Sequence, residues 1–192
     1  MSTRSSSEAG GALAGLGTTL WLTGLPSAGK TTLARALARR LTAARRPVEV
    51  LDGDEMRAML CADLGFSKED RNTNVRRIGF VARVLAAHGV SVLVPVIAPY
   101  AQARAQVAAD HAAHGVRYLE VHVATPLAVC RARDPKGLYA RQAAGLIRGL
   151  TGLDDPYEAP VSPDLALDTA GLPVEQALGL LWALLAERGT LG

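Results

Sequence analysis

The sequence predicts an α/β fold, a mostly parallel five-stranded sheet flanked by helices on both faces. Three observations point there. Short apolar runs of strand length alternate with longer stretches of helical periodicity. The strand runs are continuously apolar rather than alternating, as strands buried on both faces are. Neither an internal repeat nor an interdomain linker interrupts the 192 residues, a length suited to one domain with a sizeable core.

Residues 1–17, MSTRSSSEAGGALAGLG, are rich in Ser, Gly and Ala and lack the apolar segment of a secretory signal. A flexible tail is expected there, with the folded domain over 18–192. TTLWLTG reads as the first strand, followed by a helix over 30–44. VEVLDGD is the second strand, followed by helices over 55–64 and 68–88. VSVLVPVIAP is the third strand, with a helix over 100–114. RYLEVHVAT and a helix over 127–133 come next, then DLALDT and a last helix over 174–187. Between the last two helices, residues 134–163 are long, punctuated by Gly and Pro and poor in strand signal. A stretch of that kind inside a compact domain predicts a lid, with a solvated excursion carrying a short helix as the alternative.

Composition narrows the partners. Hydrophobic residues make up 49% and aromatics only 4%, so the core must be built from Ala, Leu and Val. The net charge is +3, with 18 arginines against three lysines, and the arginines are scattered rather than run together. That pattern speaks against nucleic acid and for a small anionic molecule. No run approaches the roughly 18 apolar residues of a membrane span. Cys61 and Cys130 match neither a metal spacing nor a redox pair, so packed thiols in a reducing, cytoplasmic compartment are expected.

The chemistry begins with WLTGLPSAGKTTLARAL. It carries G-x-x-x-x-G-K-T at Gly24, Gly29, Lys30 and Thr31, between a strand and a helix. Glycines let backbone amides curl round phosphates, and the helix N-terminus adds positive potential. Lys30 is placed to reach the β- and γ-phosphates of a nucleotide, and the Thr31 hydroxyl to ligate Mg²⁺. Asp52 and Asp54 follow the second strand at its carboxyl end, the ligand-binding edge of a parallel sheet. There a carboxylate can hold a metal-bound water or accept the proton of an attacking hydroxyl, and Asp54 can also cap the following helix. Ser67 is the expected N-cap of the helix over 68–88, with Val75, Ile78, Ala82 and Leu85 as its core stripe. Arg71 and Asn74 share a face near its start, suited to an anionic, hydrogen-bonding substrate.

Six segments together carry a resemblance: TGLPSAGKTT, LDGDEMR, LGFSKEDRNTNVRRIG, VIAPY, ARDPKGLY and TGLDDPYEAP. In this order and spacing the chain resembles the adenylylsulfate kinases, P-loop kinases with a three-layer α/β fold, commonly homodimers, with a mobile lid. The resemblance implies phosphorylation of the 3′-hydroxyl of adenosine 5′-phosphosulfate (APS) by MgATP, giving PAPS for sulfate assimilation. It implies an ATP site at Gly24, Leu25, Pro26, Ser27, Ala28, Gly29, Lys30, Thr31 and Thr32 with Arg133. Lys30, Asp54 and Asp52 become the catalytic set, with Thr31 and Asp52 near the metal. On the substrate side it implies Arg57, Arg71 and Asn74 for the anionic 5′ group, Phe66 for the adenine and backbone near Ile97 for its edge. Lys136, Gly137, Leu138 and Leu150 follow from the lid.

The chain departs from the family in the same region. Ala98 stands where the family has a serine that some members phosphorylate, and Ala101 replaces an arginine. Gly149 and Leu150 stand where the family reads Asn-Phe, and Ala140, Gln142 and Ala143 thin a basic run. Two other readings therefore stay open at this point: a related kinase acting on a different anionic alcohol, and a weakly active nucleotide-binding regulatory protein.

Overall fold

A computed structural model describes residues 16–191. Five strands form one parallel sheet: β1 (Thr18–Thr23), β2 (Val48–Val50), β3 (Ser91–Pro95), β4 (Arg117–Val123) and β5 (Leu165–Leu167), in the spatial order β2-β3-β1-β4-β5. β1 lies at the centre, with Leu20 in register with Leu93 of β3 and Leu119 of β4. All six of its residues are buried, which explains the continuous apolar run.

Seven helices accompany the sheet: α1 (Lys30–Ala43), α2 (Gly53–Met59), α3 (Lys68–Ala87), α4 (Ala101–Ala113), α5 (Leu127–Arg133), α6 (Leu138–Ala143) and α7 (Val174–Glu187). Side chains of β1 alternate between two cores. Leu20 and Leu22 join Leu33, Leu37 and Leu41 of α1 and Leu178, Leu181 and Leu185 of α7 on one face. Trp21 joins Val75, Ile78 and Ala82 of α3 and Val107 of α4 on the other. The result is the expected three-layer architecture, with Leu85 only partly buried at the edge of its cluster.

Several boundaries differ from the sequence reading. The helix expected over 55–64 is Gly53–Met59, because the Asp52 side chain accepts from the Asp54 amide and starts it two residues earlier. Cys61 therefore sits in the turn after α2; it and Cys130 are buried free thiols. Within residues 134–163, six residues form α6, started by Gly137 at φ 64°. The tail expected over residues 1–17 lies outside the described residues except at its end. There the Gly17 amide donates to Ala86 O at 2.7 Å, and a Cβ at residue 17 would meet Val90 O at 1.9 Å.

Candidate active site

The turn from β1 into α1 is built on positive backbone angles: φ is 62° at Ser27 and 103° at Gly29, which N-caps α1. Gly29 carries the more extreme value, where a side chain is strained. At the other end of the turn, a Cβ on Gly24 would meet Val123 O at 2.5 Å. Lys30 is buried and folds back onto its own turn, donating to Gly24 O at 2.8 Å and Leu25 O at 2.7 Å. Burial penalises the ammonium and lowers the Lys30 pKa to about 7.

The turn is braced from behind. Ala28 O accepts from Thr125 Oγ1 at 2.9 Å and from Thr169 Oγ1 at 2.9 Å. Arg133 donates to Thr169 Oγ1 at 2.7 Å and to Thr169 O at 2.6 Å. From α6, Tyr139 Oη donates to Pro26 O at 3.0 Å. Thr125 and Thr169 follow β4 and β5 and were not singled out in the sequence; the only signal there is a threonine just past each of two neighbouring strands.

The two aspartates divide their work. Asp52 is buried, caps α2 and lies 3.8 Å from the exposed Arg35 guanidinium. The capping role considered for Asp54 thus belongs to Asp52. Asp54 sits in the first turn of α2, is largely exposed, and pairs with Lys136, two residues before α6. Thr31 and Asp52 both line the cavity. A hydroxyl and a carboxylate, the latter with one oxygen unused by the helix cap, are hard oxygen donors that fit Mg²⁺, which keeps waters and phosphate oxygens as its other ligands.

At the start of α3, Ser67 caps the helix by accepting from the Asp70 amide at 3.1 Å, as the sequence suggests. Arg57 donates to Leu64 O at 3.3 Å and to Gly65 O, and its guanidinium lies 4.3 Å from the Phe66 ring centroid. Phe66 is 69% exposed, an aromatic face held open. Arg71 is fully engaged: Nε donates to Phe66 O at 3.0 Å, Nη1 to Thr151 Oγ1 at 3.1 Å and Nη2 to Gly149 O at 2.6 Å. It also lies 3.6 Å from Asp155. Arg71 therefore ties α3 to the stretch carrying Leu150. Asn74 differs, since its buried Oδ1 has no partner among the described residues.

The wall at Ile97 is rigid. Thr23 Oγ1 donates to Ile97 O at 2.6 Å. Buried Arg104 donates to Ala98 O at 2.7 Å, to Glu158 O at 2.7 Å and to Glu120 Oε1 at 2.8 Å. The Glu158 carboxylate accepts from the Ala101 amide at 2.7 Å, at the start of α4. Arg104 was missed in the sequence because its partners lie up to 54 residues away.

One cavity of about 1040 Å³ joins these pieces. Its wall includes Pro26 to Thr32, both aspartates, Arg57, Phe66, Arg71, Asn74, Ile97, Arg133, Lys136, Leu138 and Leu150. Gly24, Leu25 and Gly137 do not line it: the first two present carbonyls to Lys30, and Gly137 starts α6. Its size reaches the upper end for small-molecule sites, and the turn into α1, both aspartates, Arg133, Lys136 and Leu138 converge in it. The fold and site together define a P-loop kinase.

Comparison with known proteins makes this specific. The Adenylylsulphate kinase family model matches residues 16–168. An adenylyl-sulfate kinase of Myxococcus xanthus is 51% identical over 172 residues, 90% of this chain and 92% of the relative. The APS kinase of Mycobacterium tuberculosis, solved in complex with AMPPNP and APS, superposes with a TM-score of 0.87 at 44% identity, over 89% of this chain and 98% of that one. A hexameric APS kinase from Thiobacillus denitrificans matches with a TM-score of 0.70 at 40% identity, over 92% of this chain and 30% of that one. The chain belongs to the adenylylsulphate kinase family.

Proposed function

We propose that this chain transfers the γ-phosphate of MgATP to the 3′-hydroxyl of APS, giving PAPS and ADP for sulfate assimilation. The observation that carries this is the single cavity, in which the Lys30 turn and Asp54 share one space with Arg57, Phe66 and Asn74. Backbone amides from Ser27 to Thr32 and the Lys30 amine hold the phosphate tail, and Arg133 closes over the nucleotide side. Phe66 offers a face for the adenine, and the unpartnered Asn74 Oδ1 accepts from the acceptor. Arg57 supplies positive charge for the 5′ group, while Arg71 acts by fixing the stretch around Leu150.

In the transfer, Asp54 takes the 3′-hydroxyl proton as that oxygen bonds to the γ-phosphorus and the bridge to the β-phosphate breaks. Lys136, paired with Asp54, must leave that carboxylate, and the incoming phosphates are its alternative partner. Mg²⁺, held by Thr31 and Asp52, would neutralise developing charge on the phosphate oxygens. Ala98 carries no hydroxyl, so the phosphate passes directly from donor to acceptor.

Self-association as a homodimer belongs to the same proposal. It is supported by exposed apolar side chains, with Met59 81% exposed on α2, and Phe80 57% and Val84 36% exposed one turn apart on α3. A cytoplasmic setting is proposed as well; among the described residues no helix is long and apolar enough to cross a membrane.

The test is a coupled assay of ADP release with purified protein, MgATP and APS, with the nucleotide product identified. Saturable, APS-dependent release is expected, and Lys30→Ala and Asp54→Asn should each abolish it. Nucleotide binding without APS-dependent turnover, or full activity in either variant, would overturn the reading.

A further inference from the structure

Seven cationic side chains line the cavity, and five of them already have partners. Lys30 is held by Gly24 O and Leu25 O, Arg57 by Leu64 O and Gly65 O, and Arg71 by Phe66 O, Thr151 and Gly149 O. Arg133 is held by Thr169 and Lys136 by Asp54. The other two, Arg141 and Arg148, line the same cavity from the lid. Among the described residues neither donates a hydrogen bond nor makes an ion pair. The charged group that Arg148 influences is Asp154, whose two oxygens already accept the Gly149 amide at 2.7 Å and the Leu150 amide at 2.6 Å.

Each has a defined place. Arg141 is on α6, three residues after the cavity-lining Leu138 and so on the same helical face. α6 is anchored on the phosphate turn through Tyr139 and Pro26 O, which puts Arg141 on the nucleotide side. Arg148 precedes Gly149, whose carbonyl holds Arg71 of α3, and this bond puts it on the side of Arg71 and Asn74, proposed above for the acceptor. A fixed guanidinium gives up existing bonds to meet an anion, whereas Arg141 and Arg148 give up none. With Ala140, Gln142 and Ala143 uncharged between and beside them, they carry the lid's unspent charge.

We propose that Arg141 and Arg148 are the lid's anion-binding residues and divide the two substrates between them. Arg141 takes the phosphate tail of the nucleoside triphosphate, and Arg148 takes the anionic anhydride group of the acceptor. The assignment rests on the transfer proposed above for the nature of the acceptor, though not for the ATP half. Both residues act only when the lid is down, so each substrate draws the lid shut through its own arginine.

The experiment measures both dissociation constants by calorimetry, for ATP with Mg²⁺ and for APS with ADP present, alongside steady-state kinetics. The proteins are wild type, Arg141→Gln and Arg148→Gln; both residues are exposed, so folding is expected to be unaffected. Loss of one charge-assisted contact should weaken the matching ligand about tenfold or more. Arg141→Gln should weaken ATP and leave APS within about twofold, and Arg148→Gln the reverse, with Arg148→Lys recovering part of the loss. Unchanged affinities overturn the proposal. So does an equal weakening of both ligands by either variant, or a fall in kcat alone, since each would mark a merely structural lid. If wild type binds ATP but neither binds nor turns over APS, the functional reading fails, and the ATP arm with Arg141→Gln still decides this inference.

Discussion

Lys30 yields a prediction with a definite sign. Its amine is buried, and that burial lowers its pKa from the ordinary lysine value to about 7. Bound phosphate oxygens favour the ammonium and raise that pKa again, so nucleotide binding takes up a proton whenever the free amine is neutral. Affinity for ATP is therefore highest below pH 7 and falls as pH rises above it, approaching about tenfold per pH unit. Between pH 7 and pH 9 the loss amounts to about fiftyfold when the bound-state pKa lies above 10. Calorimetry at pH 8 in two buffers of different ionisation enthalpy should register an uptake of about 0.9 proton per nucleotide. Ionisation of the nucleotide releases protons and so cannot imitate this signal. Lys30→Arg stays charged throughout, and whatever its affinity, its pH slope should vanish. Zero uptake at pH 8, or a flat affinity from pH 7.5 to pH 9, would refute the reasoning.

Three further outcomes follow from contacts in the cavity and its wall. Leu150→Phe should lower the KM for APS by about fivefold, because a second aromatic ring in the cavity that Phe66 lines adds base stacking; an unchanged KM would place the adenine elsewhere. Thr169→Val removes the hydroxyl that joins Ala28 O to Arg133, and should raise the KM for ATP about tenfold while leaving that for APS nearly constant. Arg104→Ala strands Glu120 and frees Ala98 O and Glu158 O, and should cost about 3 kcal/mol in urea unfolding; a midpoint within error of wild type would contradict the bonding described.

What the sequence disclosed tracks the range of the interactions. The strands were legible because burial on both faces leaves continuous apolar runs, and the phosphate turn because its glycines and Lys30 are neighbours in the chain. Ser67 was legible as a cap for the same reason, since its partner Asp70 is three residues away. The bracing of Ala28 O by Thr169 was not, being a contact across 141 residues. Arg71 shows the limit best. Its place on one face of α3 with Asn74 suggested a direct anion ligand, yet its donors are taken by Phe66 and by residues 149–151, about 80 positions further on. The early start of α2 follows from Asp52, where two aspartates in a row of three left the cap ambiguous.

The bonds of Arg104 bear on how this family can diverge. The wall at Ile97 is fastened largely through peptide groups: Ala98 and Glu158 offer carbonyls, and Ala101 offers an amide. Main-chain atoms are the same whatever side chain a codon specifies. Positions 98 and 101, where the family reads serine and arginine, can thus drift to alanine without moving the frame that holds them. Mutation in this wall changes what lines the pocket before it changes the pocket's shape, and new acceptor preferences are reachable by single substitutions from a scaffold that stays folded.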